Sequence, residues 1–89
     1  MPRISAFYGI VIWMYHDEHH HRGRPHFHAT YGDDEATIDI ETLELIAGDL
    51  APRARRLVAE WSREHQAELR DNWARARKHQ PLRSVEPLR

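Results

Sequence analysis

The sequence predicts an α+β fold, a small antiparallel β-sheet of three to four strands packed against a long C-terminal helix. Three observations lead there. Residues 6–15 are rich in β-branched and aromatic side chains, and residues 26–41 alternate between apolar and polar positions around a central turn. From Pro52 onward the apolar residues recur at three- and four-residue steps. The first two patterns have the period of a strand and the third has the period of a helix.

In chain order, Ala6-Phe7-Tyr8-Gly9-Ile10-Val11-Ile12-Trp13-Met14-Tyr15 is apolar at both parities. That is the pattern of a strand buried on both faces, which places it at the centre of the sheet. Residues 16–24 contain no apolar side chain and lead into Gly23-Arg24-Pro25, so they read as a connecting loop, with Pro25 marking the start of the next strand. Beyond it Phe27, Ala29 and Tyr31 share one parity, and His26, His28 and Thr30 share the other. Gly32-Asp33-Asp34 forms the turn, after which Ala36, Ile38 and Ile40 alternate with Thr37, Asp39 and Glu41. The two runs make a hairpin with one wet face. Leu43, Leu45 and Ala47 continue the alternation into a shorter fourth strand that ends at Gly48-Asp49.

Pro52 suits the first turn of a helix, and Asp49 is placed to help cap it. Ala54, Leu57, Val58, Trp61, Leu69, Trp73 and Ala76 then form an amphipathic stripe in which Trp61 and Trp73 anchor the helix to the core. Unbroken to Lys78, this helix would be roughly 40 Å long at about 1.5 Å per residue. That exceeds what so small a domain needs, so the reading admits a bend near His65. Pro81 and Pro87 argue for an extended tail over residues 81–89, leaving one α+β domain over residues 1–80.

Eighty-nine residues hold one domain with a thin core. A partner that buries further apolar area, a second copy forming a homodimer included, would add stability. The absence of cysteine excludes a disulfide framework, a thiolate zinc site and a cysteine nucleophile. The N-terminus lacks a secretory pattern, and the longest apolar run is about half a membrane span, so the expectation is a cytoplasmic protein with no membrane partner. Charge divides unevenly. Residues 1–50 carry three arginines against nine carboxylates, whereas residues 51–89 carry nine arginines and one lysine against five carboxylates. This reads either as a solvated helix with internal ion pairs or as a basic surface for an acidic partner or RNA.

Six of the eight histidines lie between His16 and His28, the densest chemical signal in the chain. His16, His19, His20 and His21 occupy the polar loop with Asp17 and Glu18, which is either a solvated loop or a metal chelate. His26 and His28 differ, because strand alternation points both to one face. If Gly32-Asp33 is a two-residue turn, Phe27 pairs with Ile38 and His26 lies opposite Asp39. If the turn is Asp33-Asp34, His28 takes that place. A carboxylate opposite an imidazole fixes its tautomer and raises its basicity.

Three readings stand open. His26 and His28, with Asp39 or His21, hold zinc or another divalent transition metal; the pair with Asp39 provides the general base and acid that phosphodiester cleavage needs; or they are solvated residues of the hairpin surface. His65 lies between Trp61 and Leu69 on the apolar stripe, either as a hydrogen-bonded core histidine or as a further ligand completing a site with the strand histidines.

Pro2-Arg3-Ile4-Ser5 with Phe7-Tyr8-Gly9-Ile10, the Pro25-His26-Phe27-His28-Ala29 segment, Ala36-Thr37-Ile38-Asp39-Ile40 and the pairs Glu60-Trp61 and Asn72-Trp73 together resemble the family known as domain of unknown function 4160. Members of that family are small bacterial proteins, often encoded beside a second small protein in an arrangement similar to toxin–antitoxin pairs. No activity is established for the family. The resemblance implies a bacterial cytoplasmic protein with a cognate protein partner encoded nearby, and it makes His26 and His28 the first candidates for function. The expectation is therefore a component of a toxin–antitoxin-like module that binds a protein partner and, through its basic helix, RNA. The alternatives are a divalent-metal-binding protein centred on the strand histidines and a protein-interaction module without catalysis.

Overall fold

The computed structural model describes residues 2–15 and 24–89. Tyr8 and Gly9 both have positive φ, 49° and 83°, and Phe7 pairs with Ile10 across them. Positive φ at both central positions is the primed hairpin geometry that matches the twist of its strands. This turn corrects the reading of residues 6–15 as one central strand. They contribute to an edge strand, β1 (Arg3–Phe7), and its neighbour, β2 (Ile10–Trp13). Among the described residues the sheet therefore has five strands rather than three or four, completed by β3 (His26–Tyr31), β4 (Asp34–Asp39) and β5 (Leu45–Asp49). It is an antiparallel meander in the order β1-β2-β3-β4-β5, with β3 at its centre.

The β3–β4 turn is Gly32-Asp33, so Phe27 pairs with Ile38 and His26 lies opposite Asp39. On one face Phe7, Ile10, Ile12, Phe27, Ala29, Ala36 and Ile38 build the core. The other face carries the row Trp13, His28, Thr37 and Ala47 across β2 to β5. Leu45 pairs with Ile38 and Ala47 with Thr37, so Ile46 is the extra residue of a bulge. Gly48 (φ +71°) sits against β4 so tightly that a Cβ would collide with the Glu35 carbonyl oxygen.

The helical segment also differs from the single long helix expected. It divides into α1 (Pro52–Glu64) and α2 (Gln66–Arg77), with His65 leaving helical geometry at φ −121°, ψ 22°. The molecule is only 33 Å along its greatest extent, so a straight helix of roughly 40 Å would overhang it. α1 covers the core face, where Trp61 packs 5.4 Å from Phe7 and 5.9 Å from Phe27, ring centre to ring centre. α2 instead passes the end of β4, where Gln66 Nε2 donates to the carbonyls of Ile40 (2.7 Å) and Glu41 (3.1 Å). Pro52 begins α1 as expected, but Asp49 does not cap it. The Asp49 carboxylate accepts from the N–H of Leu50 and from Arg55, and Ala51 stands at the cap position.

Residues 80–89 have no regular secondary structure and pack back on the domain. Trp61 Nε1 donates to the Glu86 carbonyl (2.8 Å), Asn72 bonds both backbone groups of Arg83, and the Val85 N–H donates to Ile4 on the outer side of β1 (2.8 Å). No helix among the described residues is long and apolar enough to cross a membrane.

Candidate functional site

Strand alternation puts His26 and His28 on the same face of β3, and their rings lie 5.2 Å apart, edge to face. That face is not wet, contrary to the expectation for the hairpin. His26 is 1% exposed, His28 9% and Asp39 4%. Part of the cover comes from aromatic rings outside the hairpin. Tyr15, just past β2, stands 4.7 Å from His28, and Trp73 of α2 stands 5.1 Å from His26. Tyr15, His28, His26 and Trp73 thus form a row of four rings that joins the sheet to α2.

The hydrogen bonds assign much of the chemistry. His26 Nδ1 lies 2.6 Å from the Arg24 carbonyl oxygen. A carbonyl only accepts, so Nδ1 carries the proton, and in the neutral ring the lone pair is on Nε2. His28 Nδ1 is 3.3 Å from the Thr37 hydroxyl, its cross-strand neighbour.

Asp39 faces His26 in register, as one of the two turn alternatives requires, but its carboxylate is committed elsewhere. One oxygen accepts from Arg24 Nε (3.0 Å) and from an Arg24 terminal nitrogen, and the other accepts from the N–H groups of Glu41 (2.7 Å) and Thr42 (3.0 Å). Burial alone would raise the Asp39 pKa. The Thr42 amide, the Arg24 guanidinium and the Glu41 amide outweigh it, and the carboxyl is held below its ordinary value. Asp39 therefore fixes the turn after β4 and ties down the residue that precedes Pro25.

His65 is not part of this cluster. It sits between α1 and α2 with its ring 5.5 Å from Trp61, and Nδ1 lies 2.6 Å from Glu68 Oε1. Trp61 belongs to the Phe27 face, opposite in parity to the strand histidines. His21 lies outside the described residues, as do His16, His19 and His20. Among the described residues no three histidine, aspartate or glutamate side chains converge in a way that could hold a metal ion.

Sequence reasoning did not assign Arg24, Tyr15 or Thr37 to this cluster. Thr37 was recoverable, because the turn that puts His26 opposite Asp39 also puts Thr37 opposite His28. Arg24 and Tyr15 lie outside the alternating runs, where no period indicates which way a side chain points. Trp73, a core anchor of the helical stripe, meets the core at the histidine row.

A family model described as Domain of unknown function (DUF4160) matches residues 9–74, and the chain belongs to that family. The match runs from the β1–β2 turn to the last turns of α2, so it includes the histidine row, Asp39 and Trp73. No curated protein and no solved structure matches the chain.

Proposed function

Starting from that membership, we propose that this protein is the binding component of a two-protein module of the toxin–antitoxin kind, acting through contact with a cognate protein. The observation that carries this reading is where the charge and the site residues go. Arg70 bonds both oxygens of Glu41 and holds that carboxyl below its ordinary value, Arg55 meets Asp49, and Arg24 meets Asp39. Two basic residues of 51–89, Arg55 and Arg70, thus tie the helices to carboxylates of the acidic half, while Arg24 ties the start of β3 to the end of β4. The strand histidines are likewise enclosed, His26 against Trp73 of α2 and His28 against Tyr15. Among the described residues, Asp39 and the strand histidines are engaged within the fold, which supports a reading in which the protein acts through its surface.

One specific observation favours RNA as a second ligand. Arg53, Arg56 and Arg63 are exposed on α1, and no carboxylate among the described residues pairs with them. Three unpaired arginines on one helix supply the phosphate contacts from which sequence-independent binding is built.

The test is expression alone and together with the small protein encoded next to it. The expected result is a stable complex through affinity and size-exclusion steps, with a growth effect of one component relieved by the other. Two proteins that neither co-purify nor alter each other's effect on growth would refute the reading.

A further inference from the structure

The meander has two edges, and they are finished differently. On the outer side of β1 the C-terminal segment bonds to Ile4 through Val85 and buries Val85 and Leu88. β5 is the opposite terminal strand and pairs only with β4 among the described residues, with Ala47, Gly48 and Asp49 exposed. Beside it Ile38, Leu43, Leu45, Leu50 and Val58 line an open groove of about 260 Å³ between the strand and α1. An unpaired strand edge next to an apolar groove is the setting in which an extended peptide adds as one more strand. Backbone hydrogen bonds then supply affinity, and alternate side chains fill the groove.

Charge selects the occupant. Glu44 precedes β5 and Asp49 ends it, while Glu35 lies directly opposite Asp49 on β4. Like charges held opposite each other destabilise a strand pair. Arg55 reaches only Asp49, at 3.3 Å, and Glu35 and Glu44 have no ion-pair partner among the described residues. A second copy adding antiparallel through its own β5, end to end, would set Glu44 against Asp49 twice, and a phosphate backbone would meet carboxylates. Neither fits.

Resting on the reading of the chain as a protein-binding component, we propose that the β5 edge and its groove dock an extended partner segment with apolar residues between basic ends. Because the bulge at Ile46 shortens the ladder by one residue, the basic ends should fall about four residues apart, roughly 13 Å at the rise of a strand.

The probe is the acetylated peptide Gly-Ser-Lys-Val-Thr-Val-Lys-Ser-Gly, titrated into the full chain and followed by amide NMR, beside a version with glutamate in place of both lysines. Saturable shifts are expected at Leu45–Asp49 and Val58. The lysine peptide should bind at least about tenfold tighter at low salt, and the preference should shrink as salt shortens the screening length. The variant E35K/E44K changes two exposed side chains and should reverse the preference. Shifts absent from β5, equal affinity for the two peptides, or an unreversed preference in the variant would each overturn the proposal. In the co-purification described above, retention of the neighbouring protein by E35K/E44K would remove this site and leave the partner reading intact, whereas a neighbour that never binds wild type would remove that reading itself.

Discussion

Replacing Trp61 by alanine removes the side chain on which most of the packing converges. Trp61 is 0% exposed, touches Phe7 of β1 and Phe27 of β3, and donates to Glu86 in the C-terminal segment. Truncation of a buried tryptophan costs about 3–5 kcal/mol, and the orphaned carbonyl of Glu86 adds about 1 kcal/mol. A domain of this length has roughly 4–13 kcal/mol in all. Trp61→Ala should therefore lower the melting temperature by at least about 12 °C or abolish cooperative unfolding, as read by circular dichroism in heat and urea. Trp61→Phe shifts the balance between the two contributions, since it keeps an aromatic ring against Phe7 and Phe27, gives up part of the indole's area and loses the donor to Glu86. It should cost about 1–2 kcal/mol and speed amide exchange at Val85, while the amides of β2 and β3 stay protected. A Trp61→Ala protein melting within a few degrees of wild type, or a Trp61→Phe protein with unchanged exchange at Val85, would refute the account of how α1 and the C-terminal segment are held.

Gly48→Ala should destabilise by about 2–3 kcal/mol, because the new Cβ meets the Glu35 carbonyl and φ is positive; its equilibrium unfolding midpoint decides, and a neutral result would mean that β5 does not lie as close to β4 as described. Asp39→Asn should cost about 1–3 kcal/mol at pH 7 by weakening charged hydrogen bonds. Because the folded pKa of Asp39 is depressed, its contribution is present above the unfolded value of about 3.9 and is lost as pH falls through the folded pKa. The gap in stability between wild type and Asp39→Asn should thus be full at pH 5 and close on acidification below about pH 4; a gap that persists unchanged at the lowest pH at which both fold would show that the effect is not one of charge. If α1 meets RNA, replacing Arg53, Arg56 and Arg63 with alanine should flatten the dependence of log K on log salt by about 2, at about 0.7 per contact with single strands. Replacing Arg70 should leave that slope unchanged, because Glu41 already neutralises it.

Alternation made the β3–β4 hairpin legible. Phe27, Ala29, Ala36 and Ile38 proved to share one buried face, and the Gly32-Asp33 register was one of the two the sequence allowed. The helical stripe was legible for the same reason, and Ala54, Val58, Trp61, Leu69, Trp73 and Ala76 are all buried. What failed depended on signals that are not periodic. Tyr8-Gly9 is a turn only because tyrosine accepts a positive φ there, which is uncommon for an aromatic residue. An apolar run interrupted by one glycine reads equally well as a single strand. The single long helix was overturned at the place where length alone had suggested a bend: the break falls at His65, with neither proline nor glycine to mark it. The packing of Val85 and Leu88 was hidden by the prolines around them, which mark an end to regular structure and carry no information on burial.

The histidines show why the candidate site was only half legible. Alternation fixes which residues share a face, and His26 and His28 do. It does not say what covers the face, which here depends partly on Tyr15 beyond one strand and Trp73 in another element. A polar face then becomes an interior one, and each polar group on it has to be matched inside the protein. Asp39 illustrates the cost of doing so. Its two oxygens are both committed, to Arg24 and to the two amides of the following turn, and that commitment holds the ends of β3 and β4 together. The surface proposed for docking has the opposite origin. It arises at β5 because the chain turns into α1 there rather than adding a sixth strand, and because Ile46 bulges and Gly48 lets the last strand press close to β4. No residue type marks such a place in advance. Its acidic rim is nevertheless written in the same stretch of sequence that carries the excess of carboxylates, Asp33 to Asp49, so the charge split bears on both proposals: the unpaired arginines of α1 on the basic half are the ones proposed for RNA, and Glu35, Glu44 and Asp49 on the acidic half are the ones proposed to select a basic partner segment.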